Sequence, residues 1–373
     1  MRRFLVVASF AESLIGFRLP LIQALQNAGF EVHVAAPGAR SEPHVLSKLQ
    51  GMGVVVHEYP LARKGTNPVR DFVSILKLTS LMRRVRPEFF LGYTIKPVIY
   101  GTIAARIARV PRRFALVTGL GQSFQECDDR VGRLEWLLGK LLGIAFKYAH
   151  KVIFQNPDDA DLMRRRGILP AGVQFAVVNG SGVDVTEYAS RPVSAEVPTF
   201  LLVARLLESK GVKIYERAAQ RIKQSVPNVR FLLAGWIDET GDSITAIQLQ
   251  EWQRAGHIDY LGKLDDVHEA LSRCSVFVLP TFYREGTPRS ILEALSVGRA
   301  IITTDTPGVN GFLIDSRSVD ALVSAMMAFV EDSDLACRMA VESRRIALDK
   351  YDVNLVNRAM LTEMHVSDSR NRH

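Results

Sequence analysis

Glu285 and Glu293 frame the stretch Glu285-Gly286-Thr287-Pro288-Arg289-Ser290-Ile291-Leu292-Glu293-Ala294, which lies between two apolar runs. Those runs, Cys274-Ser275-Val276-Phe277-Val278-Leu279-Pro280 and Arg299-Ala300-Ile301-Ile302-Thr303-Thr304-Asp305, have the β-branched character of buried parallel strands. The piece between them reads as a helix, with Thr287 as N-cap, Pro288 in the first position and Gly298 just past the end. A helix that starts at the carboxyl end of a parallel strand offers an anion site. Helical side chains tilt toward the N-terminus, so Glu293 can reach back to the mouth formed by Glu285, Gly286 and Thr287. Two carboxylates repel a phosphate. They suit hydroxyl-rich groups flanking one, as in a sugar nucleotide.

The phosphate then needs cations from elsewhere. Val203-Ala204-Arg205-Leu206-Leu207-Glu208-Ser209-Lys210-Gly211 ends a strand and carries Arg205 and Lys210, which together would neutralise a diphosphate. A solvated basic loop would look the same. A second strand end, Leu232-Leu233-Ala234-Gly235-Trp236, provides Gly235 for close backbone approach. Its Trp236 is either a platform for a base or an ordinary half-buried aromatic.

In the first half, Ser9 to Arg18 follows the first strand and includes Gly16 and Arg18. It lacks the Gly-x-Gly-x-x-Gly of a dinucleotide site, which argues against an oxidoreductase. Thr118-Gly119-Leu120-Gly121 and Tyr93-Thr94-Ile95-Lys96-Pro97 also follow strands. They place Thr118, Gly119, Gly121 and Lys96 at the same sheet edge, either as ligand contacts or as a tight turn and a surface lysine. Asn179-Gly180-Ser181-Gly182-Val183-Asp184 is a further polar, glycine-rich loop, or simply the entry to a linker.

The elements behind these loops alternate along the whole chain. Strands are expected at 3–8, 31–35, 53–58, 88–92, 114–117, 151–154 and 175–178, separated by helical patterns at 18–28, 43–50, 69–86, 97–108, 131–149 and 157–166. The alternation restarts with strands at 199–203, 229–234, 258–261, 275–280 and 300–304 and helices at 211–225, 244–255, 266–272 and 288–297. This predicts an α/β chain of two Rossmann-like parallel-sheet domains facing a cleft. The first domain is expected over 1–185 and the second over 186–351, joined by a Pro-containing linker at 184–198. A last helix from about 352, within 352–373, is expected to cross back to the first domain.

Composition limits the classes. The chain of 373 residues is 47% hydrophobic and 23% charged, as in a globular enzyme. It has no uncharged apolar run of about 18 residues, so no membrane span is expected. The apolar start is cut short at Glu12 and reads as a buried strand rather than a signal peptide. Cys127, Cys274 and Cys337 have no metal-ligand spacing and cannot all pair, which fits a reducing cytoplasm. Residues 1–190 carry 25 Lys and Arg against 15 Asp and Glu, while the remainder carries 22 against 24. The first half therefore calls for an anionic partner. Nucleic acid is disfavoured, because no aromatic-basic interleaving or binding module appears. Phe72, Val73, Leu76 and Val85 among Arg70, Lys77, Arg83, Arg84 and Arg86 instead suggest contact with an anionic membrane surface. Trp136-Leu137-Leu138-Gly139-Lys140-Leu141-Leu142 suggests the same, although core-packed helices share both patterns.

Taken together, Arg205…Lys210-Gly211, Pro280…Glu285-Gly286…Glu293-Ala294 and Asn310-Gly311-Phe312-Leu313 resemble the family-4 retaining glycosyltransferases of the GT-B fold. Phe17-Arg18, Tyr93 to Pro97 with Tyr100-Gly101, Thr118 to Gly121, Phe154-Gln155-Asn156 and Gly180 to Asp184 look like bacterial polysaccharide enzymes, including those acting on undecaprenyl-diphosphate-linked saccharides. The resemblance implies that Arg205 and Lys210 hold the donor diphosphate, Glu293 binds the ribose and Glu285 contacts the transferred sugar. Gly286, Thr287, Gly235, Gly16 and Arg18 would complete the nucleotide-sugar site. Lys96, Thr118, Gly119 and Gly121 would line the acceptor side. The donor would be a UDP-sugar, with no cofactor and no metal. The acceptor would be lipid-diphosphate-linked, reached by peripheral attachment to the inner face of the plasma membrane. Two departures stand out. There is no clear equivalent of the first-domain histidine many relatives carry, and Gly308 runs straight into Val309 where relatives have a longer segment. A GT-B sugar-nucleotide epimerase and a non-catalytic nucleotide-binding module are the rival readings.

Overall fold

Apolar side chains alternate along the strands so that both faces of each sheet are covered, as parallel sheets require. In β1 (Arg2–Val7), Phe4 and Val6 enter one core while Leu5 and Val7 enter another. The computed structural model describes residues 1–62, 67–124, 132–193, 197–238, 242–282, 286–304 and 311–366. It comprises two compact units, Met1–Ser181 with Asn354–His373, and Gly182–Val353.

The first unit has a sheet of seven parallel strands in the order β3-β2-β1-β4-β5-β6-β7. Its further strands are β2 (Phe30–Ala35), β3 (Val55–His57), β4 (Phe89–Tyr93), β5 (Arg112–Val117), β6 (Lys151–Phe154) and β7 (Phe175–Val177). Helices Pro68–Val85, Thr102–Ile107, Arg133–Tyr148 and Pro157–Arg165 pack on one face. Helices Leu19–Asn27, Pro43–Gly51 and Val353–Glu363 pack on the other. Two helix starts in this unit carry side-chain caps. The Asn67 side chain accepts from the backbone N–H groups of Val69 and Arg70, with Pro68 next in line, and Asn156 accepts from Asp159 at 2.7 Å. The last helix is fixed to the first unit by Met360, with Met364 and Val366 just beyond it, all in the core. Lys151 Nζ also lies 2.8 Å from Glu363 Oε2.

The second unit has six parallel strands in the order β10-β9-β8-β11-β12-β13. They are β8 (Thr199–Val203), β9 (Arg230–Ala234), β10 (Asp259–Tyr260), β11 (Val276–Leu279), β12 (Ala300–Thr304) and β13 (Gly311–Ile314). β13 is not among the strands the sequence suggests. It has four residues, three of them only partly buried or exposed, so it shows no continuous apolar run. Val185 and Tyr188, inside the stretch that composition marks as a linker, are buried in the core of this unit. The chain passes between units at Ser181–Gly182 and again at Val353–Asn354. The segments next to these crossings pair in parallel, with Val183 N–H donating to Tyr351 and Val353 N–H to Val183 at 2.8 and 2.9 Å.

Candidate active site

In each unit the candidate residues gather at the carboxyl edge of the sheet, where the chain leaves the strands. In the second unit the loop after β8 carries Arg205 and Lys210, and two glycines let neighbouring loops close on it. A Cβ on Gly235 would meet the Ala204 carbonyl oxygen at 1.8 Å, and φ there is +147°. A Cβ on Gly211, at φ +78°, would meet the Pro280 oxygen at 2.2 Å. Only glycine fits either position. Backbone bonds then join the loops. Leu206 N–H donates to Trp236 at 3.0 Å, and Phe282 N–H donates to Ser209 at 2.9 Å. The Ser209 hydroxyl is held by Asp242.

Arg205 and Lys210 differ in setting. Arg205 is half-exposed and pairs with Asp238 at 3.1 Å. Lys210 is 8% exposed, and burial, with the Arg205 charge second, pushes its ammonium down to about 7. Burial disfavours the charged form of such a group, and an anion beside it favours that form.

Glu293 is buried in helix Arg289–Val297, which begins one residue later than the sequence suggests. Pro288, in extended conformation, occupies the cap position in place of Thr287, and there is no side-chain cap bond. Boundary shifts of this size are ordinary. Gly298 in left-handed conformation ends the helix. Arg289 Nε donates to Glu293 Oε1 at 2.7 Å, and Tyr188 lies close enough to this carboxylate to act on its charge. Burial pushes the Glu293 carboxyl above its usual range, while Arg289 and Tyr188 pull it partly back. Arg344 in turn holds the backbone oxygens of Tyr188, Val185 and Ser296. Gly286 is buried and Thr287 half-buried at the same mouth. Glu285 lies outside the described residues, as do Asn310 and the junction of Gly308 with Val309.

In the first unit, the Ser13 hydroxyl and Tyr93 hydroxyl lie 2.8 Å apart, and the Arg18 guanidinium stacks over the Tyr93 ring at 5.0 Å. Arg18 is thus packed into the edge, 5% exposed, rather than extended into solvent. Gly16 sits in helix Glu12–Phe17 facing open space. Thr118 and Gly119 lie half-buried after β5, and Gly121 opens a short turn, Gly121–Phe124. Lys96 is part of an internal network. It donates to the Ala62 oxygen at 2.6 Å and sits 3.6 Å from Asp71, a charge contact rather than a hydrogen bond. Both side chains are 14% exposed, and Tyr100 lies close to the same carboxylate. Among the described residues, Glu12, Glu42 and His44 form an exposed group with metal-ligand spacing. Its His44 Nε2 is 2.7 Å from Glu12 Oε1, as in a surface ion pair.

Arg289, Tyr188 and Asp71 were not singled out by sequence. Arg289 could have been, since it precedes Glu293 by one helical turn, the spacing at which opposite charges meet. Nothing in the sequence joins Tyr188 to Glu293 or Asp71 to Lys96.

Two family models match the two halves: Glycosyl transferase 4-like over residues 6–156, and Glycosyl transferases group 1 over 197–332. The chain is 28% identical, over 92% of its length and 93% of the relative's, to the N,N'-diacetylbacillosaminyl-diphospho-undecaprenol alpha-1,3-N-acetylgalactosaminyltransferase of Campylobacter jejuni. It is 23% identical to the Escherichia coli UDP-Gal:alpha-D-GlcNAc-diphosphoundecaprenol alpha-1,3-galactosyltransferase, over 85% of this chain and 87% of that one. Among solved structures, sucrose-phosphate synthase from Thermosynechococcus elongatus superposes with a TM-score of 0.78 at 16% identity, over 98% of each chain. Anabaena Alr3699/HepE, solved in complex with UDP, gives 0.75 at 17% identity over 98% of this chain and 100% of that one. By its two family matches and the two parallel sheets that carry its site residues, the chain belongs to the group 1, family-4-like glycosyltransferases of the GT-B fold.

Proposed function

We propose that this glycosyltransferase moves a sugar, an N-acetylhexosamine, from a UDP-sugar to a polyprenyl-diphosphate-linked saccharide, with retention of configuration, in assembly of a bacterial surface glycan. The observation that carries the reading is the placing of Arg205 and the buried Lys210 on one loop at a strand end. Two cations on one such loop suit a diphosphate. Two similar enzymes are named for diphospho-undecaprenol acceptors, and a similar fold binds UDP, which supports the choice of both substrates.

In this reading the bond from the sugar C1 to the β-phosphate oxygen breaks while the acceptor hydroxyl oxygen bonds to C1 from the same face, its proton passing to the departing phosphate oxygen. The electron pair of the broken bond stays on the diphosphate. Its growing charge is met by Arg205 and Lys210 on one loop, and electrostatic stabilisation of a developing charge is commonly the largest single contribution to catalysis. Positive charge for the leaving group thus comes from side chains rather than a metal ion. Glu293, oriented by Arg289, accepts from the ribose hydroxyls. Glu285 is assigned to the transferred sugar. Gly16 and Arg18 are assigned to the nucleotide-sugar and the Thr118–Gly121 turn to the acceptor, with Lys96 holding the network behind that turn.

Glu293→Ala should weaken UDP binding roughly 10–100-fold, from losing charge-assisted hydrogen bonds worth about 1.5–3 kcal/mol. Calorimetric titration with unchanged affinity would remove Glu293 from the ribose. Incubation of the wild type with UDP-N-acetylhexosamines and a polyprenyl-diphosphate saccharide should extend the saccharide. Epimerised UDP-sugar formed without acceptor would point to an epimerase instead.

A further inference from the structure

Helix Arg289–Val297, which carries Glu293, is tied to a stretch of chain that is neither helix nor strand, Val185 to Pro192. The buried Ser296 hydroxyl donates to the Tyr188 oxygen at 2.7 Å. Arg344, in helix Leu335–Ile346, gives Nη1 to the Tyr188 and Ser296 backbone oxygens at 3.0 and 2.6 Å, and Nη2 to the Val185 oxygen at 3.0 Å. Arg299, fully buried just past the helix, holds the oxygens of Arg191 at 2.7 Å and Pro192 at 3.3 Å. An irregular stretch has no ladder for its carbonyl groups, which must find donors when buried. A guanidinium supplies several in one plane, so a single arginine can tie oxygens of two segments together.

With its backbone fixed in this way, the Tyr188 side chain is seated as well. Its ring meets that of His268 edge to face, with centres 5.8 Å apart and planes at 90°. Its phenol is buried near Glu293. Burial first, and the Glu293 charge second, hold the phenol above its usual range, so it stays protonated. A protonated phenol is a donor, and an ionised carboxylate can only accept. Arg289 already occupies Glu293 Oε1 at 2.7 Å. The carboxylate thus has a guanidinium on its own helix and a phenol on the stretch tied to that helix. Support of this kind behind a binding group is what holds it in one productive rotamer.

We propose that Tyr188, held by Arg344 and Ser296, is a positioning residue that fixes Glu293 to meet the ribose diol and so makes the donor site selective for ribonucleotides over deoxy analogues. This role for Tyr188 rests on the assignment of Glu293 to the ribose made above. A site built to bond hydroxyl groups rejects an analogue without them, because its buried polar groups are left unpaired. A carboxylate free to turn away discriminates less.

Calorimetric titration with UDP and with 2′,3′-dideoxy-UDP tests this. Wild type should bind UDP at least about tenfold more tightly than the dideoxy form. Tyr188→Phe keeps the ring against His268, and should weaken UDP binding roughly three- to tenfold while leaving the dideoxy affinity within about twofold. In a Glu293→Ala background the same change should have no further effect. Arg344→Lys keeps the charge without the planar fork and should reproduce the loss for UDP; Tyr188→Phe decides the matter whether or not that variant folds. Wild-type discrimination retained in Tyr188→Phe overturns the proposal. So does an equal loss for both nucleotides, which would make the residue merely structural. If Glu293→Ala itself leaves the discrimination unchanged, Glu293 does not meet the ribose, and the role of Tyr188 falls with that assignment.

Discussion

Lys210 shows how a buried cation makes binding and stability respond oppositely to pH. Its ammonium titrates near 7 in the fold against an ordinary 10.5. Between those values the unfolded chain holds a proton that the folded chain lacks, so this residue's effect is to raise stability as pH rises. A diphosphate beside it favours the charged form and reverses the effect. UDP binding at pH 8 should take up close to one proton, and affinity should fall as pH rises through the window above 7. Calorimetric titrations in buffers of different ionisation enthalpy measure that uptake directly; a heat independent of buffer would show that UDP does not reach Lys210. Sequence placed Arg205 and Lys210 on one loop but could not separate their roles. Only burial distinguishes a half-exposed arginine already paired with Asp238 from a lysine withdrawn from water. Lys96 shows the converse. By position it belongs with the acceptor edge, and its bond to Ala62 and contact with Asp71, invisible in spacing, make it part of the scaffold.

At the level of elements, the loops after β8, β9 and β11 form one layer because two of their positions lack a Cβ. Gly235→Ala would drive a methyl into the Ala204 carbonyl at a φ that side chains rarely adopt. A cost of roughly 2–4 kcal/mol is expected, from overpacking and backbone strain together. Urea unfolding should show a lower midpoint with an unchanged slope. A midpoint equal to wild type would mean that the loops part easily, and the site would be less rigid than the bonds from Leu206 to Trp236 and from Phe282 to Ser209 suggest. The strands were the most legible part of the sequence. β1, β4, β8, β11 and β12 are continuous apolar runs buried on both faces, and a period-independent signal of that length is hard to miss. β13 escaped because an edge strand with half-exposed residues needs no such run. The helix start at Arg289 was legible to within one residue. The Arg289–Glu293 bond was present in the spacing and overlooked; the contribution of Tyr188, from more than a hundred residues away, was not there to be read.

For the whole molecule, the boundary between units does not follow the order of the chain. Met360, Met364 and Val366 complete the core of a unit whose other residues end at Ser181. Met360→Ala should therefore destabilise the first unit, by about 2–5 kcal/mol for a buried methionine truncated in a close-packed core. Because two units need not unfold together, calorimetry is the suitable readout. One transition should move to lower temperature, and the transition stabilised by added UDP, which is assigned to the second unit, should move less. A shift confined to the UDP-stabilised transition would place the last helix with the wrong unit.

The same discontinuity has a consequence for how the protein is made. A ribosome makes Met1–Ser181 before the second unit, with the strands of the first sheet in place but the part of the core that Met360, Met364 and Val366 fill uncovered. The segment that covers it follows only after the entire second unit has been translated. At rates of about 5–20 residues per second, that apolar patch waits for many seconds, long compared with the folding of either sheet. A nascent chain in this state is the form most exposed to chaperones and to aggregation, and a chain cut short after Val353 would keep that patch uncovered.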